Sequence, residues 1–169
     1  TAENAFRHAL GKNMWGRAKV EALKEELQQK FPYVRPTTYR MTAQEAFASG
    51  VVDPKCFNLI IVAIGDDTVS LYLNEILYDQ KGTHPVLFTW LEPYGIGGHI
   101  LVTGNSNDIG CFECLFTPVP GDDDYVMGSR ASFAAPNQSF SKDISGCASH
   151  FTPYGSQDAG QTAALAARV

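Results

Sequence analysis

The sequence has 169 residues, the length of one domain, of which 44% are hydrophobic and 18% charged, enough to bury a core. Its formal charge of −5 argues against general nucleic-acid binding, and no apolar run reaches membrane-spanning length, so neither a nucleic acid nor a membrane is expected as a partner. Fifteen glycines and nine prolines without a period exclude a collagen-like chain.

No segment near Thr1 reads as a secretory signal, and the chain opens without methionine, as a piece of something longer would. From Arg17 to Phe31, Val20, Leu23, Leu27 and Phe31 recur at three- and four-residue steps. That spacing predicts an amphipathic helix ended by Pro32, and the mixed charges from Glu21 to Lys30 read as its solvated face. Tyr33 to Met41 is rich in β-formers, although Pro36 restricts it to an edge or irregular strand. Thr42 and Glu45 have capping-box spacing and start a short helix stopped by Gly50. Asn58 to Ile64 is a near-continuous apolar run, which fits a parallel strand covered on both faces. A helix follows from about Thr68 to Lys81, with Val69, Leu73, Ile76 and Leu77 as its stripe and Lys81-Gly82 as its end. Pro85 to Leu91 and Gly98 to Thr103 are two more strands, and Gln157 to Val169 is an Ala-rich helix. Residues 104–146 are polar and aperiodic, which suits a functional loop or lid. The order of elements predicts an α/β sheet protein.

Three places in this pattern carry chemistry. Asp66 and Asp67 directly follow the buried strand, where open α/β sheets bind ligands. A carboxylate there holds Mg²⁺ or caps the next helix, and two carboxylates can divide those tasks. Cys111-Phe-Glu-Cys114 is a C-x-x-C pair, the only one in the sequence. It is either half of a tetrahedral zinc site or a metal-free pair, and in a chain with only four cysteines it favours a reducing cytoplasm. Cys56, at the mouth of the strand, is expected to be packed. Cys147 follows the polar loop and precedes the last helix, with His150 three residues on; it is either a nucleophile or a half-buried structural thiol. His8, His84 and His99 read as surface or hydrogen-bonded core residues, and Gly95-Ile-Gly97-Gly98 as a tight loop rather than a phosphate-binding fingerprint.

Taken together, the segments resemble the ubiquitin-activating, ThiF/MoeB-type adenylating enzymes. Asn4-Ala-Phe-Arg7 with Gly16-Arg-Ala-Lys19 looks like the family's N-x-x-R and downstream G-x-x-K. Residues 58–74 resemble its strand, catalytic aspartate and helix with Leu-Asn. Pro85-Val86 followed by Gly97-Gly98-His99-Ile100 fits its next two strands. Residues 110–116 resemble its first zinc pair, and the stretch from Cys147 through Pro153 to the last helix resembles its closing cysteine segment. The wording of the segments is most similar to the bacterial branch, often fused to a ubiquitin-conjugating-like domain and encoded in antiphage operons. The family's glycine-rich nucleotide loop, its ribose-binding acidic residue and its second zinc pair have no counterpart here. The chain thus resembles the C-terminal two-thirds of an adenylation domain, which implies an α/β fold with a Rossmann-like, mostly parallel sheet and helices on both faces, and alone it is expected to be inactive.

The resemblance implies ATP and Mg²⁺ as cofactors, with Zn²⁺ at Cys111 and Cys114. It implies ATP-dependent adenylation of a partner's C-terminal carboxylate, the partner being a ubiquitin-like or other C-terminal-glycine protein. Arg7 and Lys19 would contact phosphates beside Asn4, Asp66 would hold Mg²⁺, and Cys147 would take the acyl group as a thioester. Asp67 competes with Asp66 because the Leu-Asn spacing is one residue short of the pattern. A homodimer is compatible with the family. The alternatives are a sulfur-carrier-activating enzyme of the thiamin or molybdopterin type and a non-catalytic scaffold subunit. A nicotinamide-dependent enzyme is disfavoured, since no hydride-transfer constellation is present.

Overall fold

In the computed structural model, the residues described are 9–78, 84–104, 110–119, 121, 128–133, 135, 138, 140, 142–143, 150–151 and 153–169. The chain divides into a first unit, Thr1–Val52, and a second, Asp53–Val169.

Among its described residues the first unit carries two α-helices. Helix α1 (Lys19–Lys30) matches the apolar spacing and ends one residue before Phe31. Its best-buried residue is Ala22, while Leu27 and Phe31 at its far end stay exposed. The predicted stripe is therefore covered only at its start, by Val20 and Leu23, which are half-buried. Helix α2 (Ala43–Ala48) opens with the expected capping box: Glu45 N–H donates to the Thr42 hydroxyl, and Thr42 N–H donates to the Glu45 carboxylate at 2.8 Å. The stretch expected as a strand, Tyr33 to Met41, pairs with no strand among the described residues. Pro36 lacks the N–H that a ladder needs. The chain is instead held to α1 by the Thr38 hydroxyl, which donates to Glu21 Oε1 at 3.0 Å.

The second unit is built on a three-stranded sheet in the order β1 (Ile60–Val62), β2 (Val86–Leu91), β3 (Gly98–Thr103). β1 and β2 are parallel, with Ile60 opposite Val86; β2 and β3 are antiparallel, with Trp90 opposite His99. A parallel pair requires a crossover, and helix α3 (Asp67–Tyr78) lies within it. Buried Leu73 and Leu77 fit the predicted stripe of α3, joined by Ser70 and Asn74, which periodicity of apolar residues cannot show. The proposed end at Lys81-Gly82 lies outside the described residues.

One face of the sheet carries Phe88 and Trp90. Phe112 stacks on Phe88 with centroids 4.8 Å apart and meets Trp90 edge-on at 5.5 Å. Phe112 sits in a 3-10 turn, Phe112–Leu115, whose first N–H donates to Asn74 Oδ1 of α3 at 2.9 Å. The turn thereby ties α3 to this face. Helix α4 (Ser156–Ala166) packs on β2 and β3 from the other side, and its Thr162 occupies the space that a Cβ on Gly98 would need. The second unit is thus mixed α/β, with α4 packed on its three-stranded sheet. Coverage of β1 differs from the expectation, since Ile61 is 59% exposed: α4 packs over β2 and β3 and leaves the edge strand bare on that side. A further two-residue pairing joins β4 (Lys142–Asp143) to β5 (His150–Phe151). No helix among the described residues is long and apolar enough to cross a membrane.

Candidate functional site at the carboxyl end of the parallel pair

β1 and β2 run in the same direction, so the segments that leave them emerge at one end of the sheet. β1 leads to Asp66 and Asp67, and β2 leads to Glu92. Because β3 runs back, its first residues, Gly98 and His99, return to the same end. Four titratable side chains are brought together here by topology alone.

The two aspartates have different tasks. Asp66 Oδ1 accepts the N–H of Val69 at 2.9 Å, and its carbonyl accepts the N–H of Ser70, so Asp66 is the N-cap of α3. Asp67 is the first helical residue. Its carboxyl is raised above the usual aspartate range, chiefly by local desolvation, then by the negative charges of Asp66 and Glu92. Asp67 as a residue remains exposed.

The sign of this shift gives a stability prediction. A carboxyl with a raised folded-state pKa holds its proton more tightly in the fold, so stability is lost as pH rises through that pKa. Asp67→Asn is therefore expected to raise the Tm near neutral pH. The gain should fade as the pH falls through the raised pKa, because the native carboxyl is then neutral too. Thermal melts of both proteins at about pH 7 and about pH 4 check this. An equal gain at both would remove the electrostatic cause.

Glu92 is 5% exposed, and its Oε1 lies 2.7 Å from His99 Nε2. A protonated ring makes this a nearly buried ion pair. The imidazole is packed between Trp90, stacked at 4.7 Å between centroids, and Phe133 at 4.6 Å. The loop between the two strands is a tight 3-10 turn, Pro93–Gly95. Tyr94 adopts a φ of 60°, the only positive φ at a non-glycine among the described residues. That conformation is costly for a tyrosine and persists only where its surroundings hold it. They do so here: Tyr94 N–H donates to the Pro153 carbonyl, and Glu92 N–H donates to the Gly97 carbonyl at 3.0 Å. Gly95, at φ 67°, has the Asp158 carboxylate where a Cβ would stand. The Gly95–Gly98 stretch is thus the tight loop the sequence suggests, and His99 is a hydrogen-bonded, largely buried histidine. The Glu92–His99 dyad itself was not anticipated. Its signal is a charged residue and a histidine seven apart across a Pro- and Gly-rich turn.

Cys111 and Cys114 form a second, separate feature. Cys111 N–H donates to Cys114 Sγ at 3.3 Å, and Cys114 N–H donates to the Cys111 carbonyl at 3.1 Å. The sulfurs are 3.7 Å apart. Burial pushes the Cys111 thiol up, but hydrogen bonds from the Asn74 side chain, from Cys114 and from the Glu113 backbone outweigh it, and the net direction is down. Two sulfurs on one tetrahedral zinc, each bound at about 2.3 Å, stand about 3.8 Å apart, so the spacing suits zinc. The ligand number does not: among the described residues no third Cys, His, Asp or Glu joins them. A closed structural zinc centre needs four ligands.

The remaining predicted residues are more scattered. Lys19 is exposed at the first position of α1, in the first unit. Asn4, Arg7, His8 and Cys147 lie outside the described residues. Cys56 is exposed rather than packed, because it ends a 3-10 turn, Pro54–Cys56, before β1 begins. His84 is buried at the start of β2. Comparison with family models, with curated proteins and with solved structures returned no match.

Proposed function

We propose that this chain belongs to an adenylating enzyme of the ubiquitin-activating, ThiF/MoeB type, with a Rossmann-like sheet. The reaction is attack by a partner protein's C-terminal carboxylate on the α-phosphate of ATP, with pyrophosphate leaving. The observation that carries this reading is the Asp66–Asp67 pair at the carboxyl end of a parallel strand pair, with Asp67 crowded by like charge. A divalent cation relieves such crowding. Mg²⁺ needs only one or two protein carboxylates when substrate phosphates complete its shell, and the pair fits that requirement.

Asp67 is the principal cation-holding residue in this proposal, since Asp66 Oδ1 is already engaged in capping. When bound, Mg²⁺ would neutralise charge on the phosphates. The buried Glu92–His99 pair and the tight turn behind it hold the rim of the site rigid. Arg7, Lys19 and Asn4 would serve the phosphates, as the resemblance implies. Cys147 would then attack the acyl carbon of the adenylate, forming a thioester and releasing AMP. Zinc takes no part in these steps.

ATP–pyrophosphate exchange tests the reading. It should be measured on protein that includes whatever sequence flanks this chain, with candidate partners ending in glycine. Exchange dependent on such a partner is the expected result. Cys147→Ala should keep exchange and lose the thioester, which is seen as a thiol-sensitive adduct on non-reducing gels. A thioester that survives in Cys147→Ala rules out that residue as acceptor. Absence of exchange with every glycine-terminated partner rules out the activity.

A further inference from the structure

We propose that Cys111 and Cys114 form a reversible dithiol–disulfide couple, an oxidant-sensitive site on the second unit. The two sulfurs stand 3.7 Å apart in one short turn, within reach of each other but unbonded. A disulfide needs about 2.05 Å, so closure asks each side chain for less than an ångström of movement, which rotation about χ1 supplies. Cys114 Sγ already accepts the Cys111 N–H, and Cys114 N–H closes the turn on the Cys111 carbonyl, so one short turn holds both residues together.

The turn is fixed from below. Phe112, between the two cysteines, is 2% exposed and stacked on Phe88, and its N–H is held by Asn74 of α3. Above that anchor, Cys114 is exposed and Cys111 half-exposed, so both sulfurs are open to a small oxidant. The site is therefore rigid where it is attached and accessible where it reacts. The proposal does not rest on the adenylation reading.

The chemistry balances with hydrogen peroxide as the two-electron oxidant. One cysteine sulfur attacks a peroxide oxygen, the O–O bond breaks, and a sulfenic acid and water form. The second sulfur attacks the sulfenic sulfur, the S–O bond breaks, and a disulfide and a second water form. Two thiol protons and the two electrons end in the two waters. A dithiol reductant reverses the step by exchange.

Cys56 supplies an internal control, because it is an exposed thiol with no second sulfur beside it among the described residues. The protein is isolated reduced, its zinc content is measured, and it is treated with one equivalent of hydrogen peroxide. Thiols are then alkylated and the peptides mapped. The expected product has lost two hydrogens, with Cys111 joined to Cys114 and Cys56 still alkylated. Formation of that bond should exceed oxidation of Cys56 by on the order of tenfold, and dithiothreitol should restore both thiols. In Cys114→Ser, which alters only an exposed position, the disulfide should vanish and Cys111 should stop at sulfenic or sulfinic acid. Three results overturn the proposal. One is a disulfide that joins Cys111 or Cys114 to any other cysteine. Another is oxidation of the pair no faster than that of Cys56. The third is one zinc per chain that is lost on Cys111→Ser.

Discussion

Phe112→Ala is expected to destabilise the second unit by about 3–5 kcal/mol, the range for emptying a buried aromatic site. The expectation rests on the number of separate interactions that end at this ring. It stacks on Phe88, meets Trp90 edge-on and lies 5.5 Å from Phe116. It is 2% exposed, so an alanine there leaves a cavity against the sheet. The backbone bond to Asn74 would remain geometrically available, but the turn would lose the ring that presses it onto the sheet. A fall in Tm of roughly 10 °C or more is expected for a unit of this size. Phe112→Leu should cost far less, since it keeps most of the apolar volume. Chemical denaturation with the near-ultraviolet signal of Trp90 as the probe measures both variants. A loss below about 1 kcal/mol in the alanine variant would mean that the turn is not part of the cooperative core. The same variant should also loosen the dithiol, because the two sulfurs keep their spacing through this anchor.

This anchor shows which parts of the structure a sequence states openly. The main elements of the second unit follow from apolar spacing: Leu73 and Leu77 mark α3, and Ile60 to Val62 and Val86 to Leu91 mark the parallel pair; the β4–β5 pairing does not, since β4 lies in a stretch that reads as an aperiodic loop. The capping box at Thr42 and Glu45 is equally legible, because it is a local contact three residues apart. What escapes is polar and long-range. Asn74 lies thirty-eight positions from Phe112, and nothing in its helix marks it as the acceptor for a distant backbone N–H. His99 reads as isolated until β2 and β3 pair and bring it to Glu92. Tyr33 to Met41 misleads for the opposite reason. Its β-forming side chains suit a ladder, but a ladder also needs a partner and a run of donors, and Pro36 removes one of them. Ile61 likewise belongs to a run that reads as doubly covered, and only the position of α4 shows which face stays open.

The carboxylate pair is where spacing leaves two roles and geometry separates them. Asp67→Asn is expected to lower ATP–pyrophosphate exchange on the order of a hundredfold or more, if charge stabilisation at the phosphates is its task. The substitution is nearly isosteric and removes only the charge, and it should not weaken the fold near neutral pH, because Asp67 is held in a repulsive setting with Asp66 and Glu92. Asp66 should behave differently. Its Oδ1 caps α3, and asparagine caps about as well as aspartate, so Asp66→Asn should keep the melting temperature close to that of the parent. Asp66→Ala removes the cap and should cost about 1 kcal/mol. The activity of the asparagine variant then separates the roles. If Asp66 only caps, Asp66→Asn retains exchange while Asp67→Asn loses it. If the two carboxylates share the cation, both lose exchange, and the deficit should shrink as Mg²⁺ concentration is raised. Full exchange in Asp67→Asn, at every Mg²⁺ concentration, would remove Asp67 from the mechanism. Exchange lost in Asp66→Asn alone would return the cation to Asp66, and the cap would then share an oxygen-bearing group with the site it faces.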